Sequence, residues 1–149
     1  MALTTSVGAT ISMSATLPTT FDDNATTGYP SLTFTQLGWV EDIPEYGPEA
    51  TTVEFTPVDD GIIRKFHGPT NYGSLSVPVG LDFDDAGQTV AKTAQDTKNE
   101  IAFEIKYDDG LIDYCSGKVM SFKRANGAAG GVRKGSVMIE FERDLTTVS

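Results

Sequence analysis

Along most of this chain apolar and polar residues alternate with a period of two, the mark of strands with one face buried. Ala9, Ile11 and Met13 alternate with Thr10, Ser12 and Ser14, which predicts a strand near 6–15. After a polar stretch from Leu17 to Pro30, Leu32, Phe34 and Gln36 through Val40 predict a second. Val53 and Phe55 lead into Asp59-Asp60-Gly61 and Ile62 through Phe66 lead out, which predicts a hairpin with type I′ turn chemistry. Leu75, Val77, Val79, Leu81 and Phe83 alternate with Ser74, Ser76, Pro78, Gly80 and Asp82. Pro78 has no N–H to donate, so this strand belongs at an edge or a bulge.

The period changes once. Over 85–95, Asp85 is placed to cap a helix, with Gln88 three residues on as capping-box partner. Ala86, Val90 and Ala94 then form a narrow apolar stripe. Beyond it Ile101, Phe103, Ile105 and Tyr107 face one way, and Ala102, Glu104 and Lys106 the other. Asp108-Asp109-Gly110, again with type I′ chemistry, turns that strand into Leu111–Arg124. The glycine-rich tip Ala125–Gly131 turns into Val132–Asp144, where Val137, Ile139 and Phe141 point inward. The pattern predicts an all-β domain with one flanking α-helix, a β-sandwich or small barrel, as a single domain over 1–149 without linker or repeat. Nineteen threonines and fifteen glycines favour the same class.

Charge narrows the function. Twenty-one Asp and Glu oppose eleven Lys and Arg, a formal net charge of −10. That excludes gripping nucleic acid through clustered bases, and docking on an anionic membrane. The charge is also polarised: residues 1–63 hold nine acids and no Lys or Arg, whereas the remainder holds twelve acids and all eleven bases. Within that remainder no acid lies between Asp113 and Glu140, so Lys118, Lys123, Arg124, Arg133 and Lys134 make a locally basic terminal hairpin. The start Met1-Ala-Leu-Thr-Thr has neither the basic head nor the apolar run of a signal peptide, and no apolar stretch has membrane-spanning length. A soluble protein made in a cytoplasm is expected.

Little catalytic chemistry is visible. His67 is the sole histidine, placed in a turn after Phe66, so no two-histidine metal site exists. Cys115 stands alone in a strand and reads as a buried small hydrophobe. The pairs Asp22-Asp23, Asp59-Asp60, Asp84-Asp85 and Asp108-Asp109 raise a calcium site, but none has the spaced acidic pattern of a binding loop, and turns and capping account for them better. Glu140 and Glu142 on one strand would suit a glycosidase only beside a sugar-sized cleft. Gly127-Ala-Ala-Gly-Gly lacks the ending of a phosphate loop.

Three stretches carry a family resemblance. Arg64-Lys-Phe-His-Gly-Pro-Thr-Asn-Tyr-Gly-Ser-Leu-Ser-Val-Pro-Val-Gly-Leu-Asp-Phe-Asp-Asp-Ala-Gly-Gln resembles the strand leading into the single helix of the tail tube (major tail) proteins of long-tailed bacteriophages. Phe103 to Arg124 is similar to that family's hairpin, and Gly135-Ser-Val-Met-Ile-Glu-Phe-Glu-Arg to its closing strand. Gly38-Trp-Val-Glu-Asp-Ile-Pro-Glu-Tyr-Gly extends the similarity to about 38–144. The resemblance implies a β-sandwich with a flanking helix, a fold shared with the tube protein of type VI secretion systems. It also implies hexameric rings stacked into a tube around a tape-measure protein and later around passing DNA, with tail terminator and tail-tip proteins as further partners. The location implied is the virion tail, with assembly in the host cytoplasm, no enzymatic activity and no cofactor. Two departures stand out. The Val58–Gly61 turn is short where family members often carry a long loop that reaches the next ring, so the polar arm 15–31 is expected to reach instead; and the chain stops at Ser149 without an added immunoglobulin-like domain.

Under that resemblance the charge split gains a use. Lys123, Arg124, Arg133 or Lys134 is expected to meet acids among Glu41, Asp42, Glu45, Glu49, Asp59 and Asp60 of a neighbouring subunit, in a head-to-tail contact. Pairing within one subunit, or solvation, is the competing expectation. Glu104, Glu140 and Glu142 are the lumen-lining candidates, since an acidic wall repels DNA that must slide past. The alternative class is a calcium- or carbohydrate-binding β-sandwich module.

Overall fold

The computed structural model describes residues 7–148. The predicted strand start at Ser6 and the reading of Met1–Thr5 lie outside them. In chain order the elements are β1 (Thr10–Ser14), β2 (Thr35–Gln36), β3 (Glu49–Phe55), β4 (Arg64–Asn71), β5 (Ser74–Gly80), α1 (Ala86–Thr97), β6 (Glu100–Lys106), β7 (Ile112–Ala125), β8 (Lys134–Phe141) and β9 (Thr146–Val148).

Seven strands make one antiparallel sheet in the order β2-β1-β6-β7-β8-β5, with β9 beside the start of β7. Its two ends are drawn together by a single stretch of chain. Leu37 N–H donates to the Ile11 carbonyl at 2.9 Å on one edge. Two residues on, Trp39 accepts from Gly80 N–H at 2.8 Å and Glu41 donates to the Pro78 carbonyl at 3.0 Å on the other. The sheet therefore rolls nearly shut, which satisfies edges that would otherwise invite other strands. This switch of partner explains why the strand predicted over 32–40 shrinks to Thr35–Gln36. Pro78 sits on β5, at the end of the path, as its missing donor requires.

The barrel encloses Ile11, Met13, Leu75, Val77, Val79, Ile101, Phe103, Ile105, Cys115, Val119, Val137, Ile139 and Phe141, all buried and drawn from alternate positions of their strands. A bulge between Val119 and Ser121 shifts the register of β7 against β8 and leaves Met120 exposed. α1 plugs the barrel, but not with the predicted stripe. Gly87, Gln88, Ala91 and Ala94 are buried while Ala86 is exposed, so the packed face is turned by about one residue. The reason is Gln88, whose amide donates to the Gly80 carbonyl at 2.8 Å and the Gly38 carbonyl at 3.2 Å, and whose oxygen accepts from Asp82 N–H at 3.1 Å. A polar residue so satisfied belongs in a core, although its hydropathy hides it. Asp85 does cap α1, accepting from Gln88 N–H at 3.0 Å, but the reciprocal bond of a capping box is absent because Gln88 is engaged elsewhere.

The two Asp-Asp-Gly turns differ from the type I′ expectation. Gly61 and Gly110 have φ of +66° and +95°, while the only non-glycine residues at positive φ among those described are Trp39 and Lys98. Each turn thus has one left-handed position instead of two, closed by Gly61 N–H to Pro57 and Gly110 N–H to Tyr107.

Candidate functional site

Among the described residues β3 and β4 pair only with each other, as a separate two-stranded sheet. Glu49 faces Asn71 at the root and Phe55 faces Arg64 near the tip. Phe55, Val58, Ile62, Ile63 and Phe66 are all more than half exposed, and Val58 fully so. A ribbon that shows this much apolar surface gains nothing from it in a lone subunit, and such patches mark contact sites. The predicted reaching arm, by contrast, is folded down. Within 15–31, Tyr29 is fully buried and stacks on Tyr114 with ring centroids 5.5 Å apart, sealing Ala102 beneath it. Phe21 lies under the guanidinium of Arg143 at 3.6 Å, and Arg143 in turn pairs with Glu100 and donates to Ser116 Oγ at 3.1 Å. In the subunit it is β3–β4, not 15–31, that stands off the body.

The arm leaves from a defined end of the barrel. From Trp39, beside Gly80, the chain runs back along β5 until Gly47 meets Gly73. A Cβ on Gly73 would lie 2.3 Å from the Gly47 carbonyl oxygen, and Gly73 holds φ +95°, so only glycine fits this root. The opposite end of β5, about 20 Å away for seven residues, pairs Gly80 with Lys134 at the base of the glycine-rich tip. There Trp39 is 68% exposed and held at φ +60°, a conformation costing a bulky residue roughly 1–2 kcal/mol. Its indole N–H donates to Asp82 Oδ2 at 3.0 Å. Next to Asp82, Phe83 is 59% exposed and carries the Arg124 guanidinium 4.9 Å above its ring. Phe83, Phe122, Arg124, Lys92 and Gln88 line a hollow of about 190 Å³ there.

The structure divides the predicted charge partners. Lys134 pairs with Glu41 at 3.1 Å and Asp60 with Arg64 at 2.8 Å, both inside one subunit. Among the described residues Lys123, Arg124 and Arg133 make no ion pair, nor do Asp42, Glu45, Glu49 and Asp59. Lys123 and Arg124 face opposite sides of the sheet, Lys123 opposite Ser136 and Arg124 opposite Gly135. Of the lumen candidates, Glu140 lies across from Lys118 on the outer face of the sheet. Glu142 follows the end of β8 and approaches Lys118 at 3.8 Å. Glu104 is on the same face, half-buried beside Tyr114, whose hydroxyl is pushed up to about 12 by burial and by that carboxylate.

The buried polar groups are structural in their chemistry. Asp113 Oδ2 accepts from Tyr46 at 2.5 Å and Tyr107 at 3.0 Å, and its Oδ1 from Thr147 at 2.7 Å. Burial, and then this carboxylate, raise the Tyr46 hydroxyl far above its ordinary range. Nothing in the sequence marks this cluster, because its members come from four distant positions. Cys115 is buried as expected, its thiol pushed up to about 12 by burial, which leaves it a poor nucleophile. His67 is exposed on β4, in a strand instead of the predicted turn. Among the described residues no three His, Cys, Asp or Glu side chains come together to hold a metal. The paired aspartates are used locally: Asp22 accepts from Thr20 Oγ1 and Asn24 N–H, and Asp109 from Leu111 N–H. Among the described residues no helix is long and apolar enough to cross a membrane.

No protein-family model matches this chain, and neither does any curated protein sequence. Solved structures do share its fold. The chain superposes on the tail of an empty gene transfer agent particle, refined with C6 symmetry, with a TM-score of 0.67 at 16% identity over 94% of this chain and 95% of that one. It matches the SPP1 tail tube with a TM-score of 0.62 at 14% identity, covering 93% of this chain and 75% of that. A sheath/tube terminator of an extracellular contractile injection system gives 0.65 at 9% identity, covering 100% and 99%. The all-β fold with one flanking helix is therefore the tail-tube fold, in agreement with the resemblance read from the sequence.

Proposed function

We propose that this chain is a structural, self-assembling subunit of a tail tube: six copies form a ring, and rings stack into a conduit through which DNA leaves. The observation that carries this reading is the β3–β4 arm. On a barrel of tail-tube fold, it exposes Phe55, Val58, Ile62, Ile63 and Phe66 and, among the described residues, pairs with no strand of the main sheet. A second copy supplies the missing partner, and since the arm and any surface that receives it differ, the contact is head-to-tail and repeats. The net charge of −10 suits the passage of DNA, with Glu104, Glu140 and Glu142 facing the lumen on the outer side of the sheet. Lys123, Arg124 and Arg133, unpaired in the subunit, meet acids of a neighbour.

The partners follow from that role: a tape-measure protein inside the growing tube, a terminator at one end and tail-tip proteins at the other. The chain works in the virion tail after assembly in the host cytoplasm, and catalyses nothing. Electron microscopy of the purified protein at high concentration tests the reading; hollow tubes or sixfold rings are expected. A monodisperse monomer under all assembly conditions would overturn it.

A further inference from the structure

We infer that the end of the barrel opposite the arm is the socket for the arm tip of a second copy, formed by Phe83, Phe122 and Arg124, with Trp39 at its margin through its bond to Asp82. This rests on the proposed tube role and names the surface that would receive the arm. Four observations converge on it. The arm root, at Gly47 and Gly73, and the Trp39–Phe83 face lie at opposite ends of β5, as a repeating head-to-tail contact requires. The face is concave, with the rings of Phe83 and Phe122 set among polar side chains, and the tip that would fill it is aliphatic and aromatic. Charge is complementary: among the described residues Arg124 and Arg133 at the socket end make no ion pair, and neither does Asp59 near the tip. Finally, Trp39 is kept left-handed and exposed by three bonds: the Gly80 amide to its carbonyl, its indole to Asp82, and the Asp85 carboxylate on the preceding Gly38 N–H at 3.0 Å. Strain of that kind persists where the surroundings impose it, and here it presents a large ring that the barrel core does not use.

A plug and a socket on each copy allow a complementation test. A socket variant, F83S/R124E, and a plug variant, I62S/I63S, each keep one half of the contact intact. Each alone is expected to give rings without tubes, as seen by electron microscopy and sedimentation, with a thermal melt like that of the unaltered protein. Mixed, they are expected to form pairs of rings, with twice the mass of either ring, and nothing longer. If F83S/R124E stacks into tubes as the unaltered protein does, or if the mixture gives no paired rings, the socket assignment is overturned while the tube reading stands. If F83S/R124E fails to fold, R124E alone serves, with an expected at least tenfold rise in the concentration needed for tubes; an unchanged threshold overturns the assignment. Should the unaltered protein form no rings or tubes, the tube reading falls and this inference with it.

Discussion

The Tyr46 hydroxyl donates to the buried carboxylate of Asp113 at 2.5 Å, tying the segment that leads into the arm to the start of β7. Tyr107 and Thr147 complete the cluster, so the arm root, the β6–β7 turn and β9 share one acceptor. Removing one donor leaves a buried oxygen short of a partner. Tyr46→Phe is therefore expected to lower unfolding stability by roughly 1–2 kcal/mol, and Asp113→Ala by more because three hydroxyls lose their shared acceptor, with Tyr46 and Tyr107 left only each other. Urea unfolding followed by tryptophan fluorescence measures both; a wild-type midpoint for Asp113→Ala would refute the role given to the cluster.

Alkali should weaken the fold. The hydroxyl of Tyr114 and the thiol of Cys115 are each raised to about 12, and those of Tyr29, Tyr46 and Tyr107 are raised as well, with burial the leading cause in every case. These groups are neutral when protonated, so in the window above the ordinary thiol and phenol values the unfolded chain loses protons that the folded one keeps. Their stabilisation is complete below about pH 9 and is lost as pH climbs towards 12. The urea midpoint should fall markedly from pH 8 to pH 11; a flat profile would contradict the burial described. Cys115→Ala should make the decline shallower.

Gly87 reverses a common rule. Replacing a helical glycine by alanine usually helps by up to about 1 kcal/mol. Here the added Cβ would lie 2.2 Å from the Gln36 carbonyl oxygen and 2.6 Å from Leu37 Cα, where α1 meets the stretch that closes the barrel. Gly87→Ala is expected to destabilise by about 1–3 kcal/mol instead, as overpacking does. Thermal denaturation decides between the two signs.

The arm should be invisible to subunit stability and indispensable to assembly. Phe55→Ser and Ile63→Ser remove exposed side chains, so shifts within about 0.5 kcal/mol are expected in unfolding, together with loss of tubes. Hydrogen exchange offers a second measurement. A two-stranded ribbon alone is marginal in water, so amides of 49–71 should exchange fast in free subunits and slowly in tubes. Equal protection in both states would mean that the arm docks on nothing.

Period-two alternation made most of the barrel legible, because a strand half in a core must alternate wherever the fold places it. It located β1, β5, β6, β7 and β8 and the inward set Val137, Ile139 and Phe141. It also placed the arm hairpin, whose apolar residues Val53, Phe55 and Phe66 are exposed. Alternation reports which residues avoid water, and cannot distinguish a core from a surface awaiting a partner. The helix face was misjudged for the converse reason: Gln88 is polar by composition, yet fully bonded and buried.

The sequence by itself determined the all-β class, the single helix with its Asp85 cap, and the concentration of charge in an acidic first part and a basic terminal hairpin. These depend on local propensity and on counting. Only the tertiary structure decided that Thr35 to Glu41 bonds both sheet edges, that 15–31 folds down under Tyr29 and that Lys134 spends its charge on Glu41. It also set the arm and the strained Trp39 at opposite ends of β5. Those relations join residues far apart in the chain, and their geometry exists only once the barrel has closed.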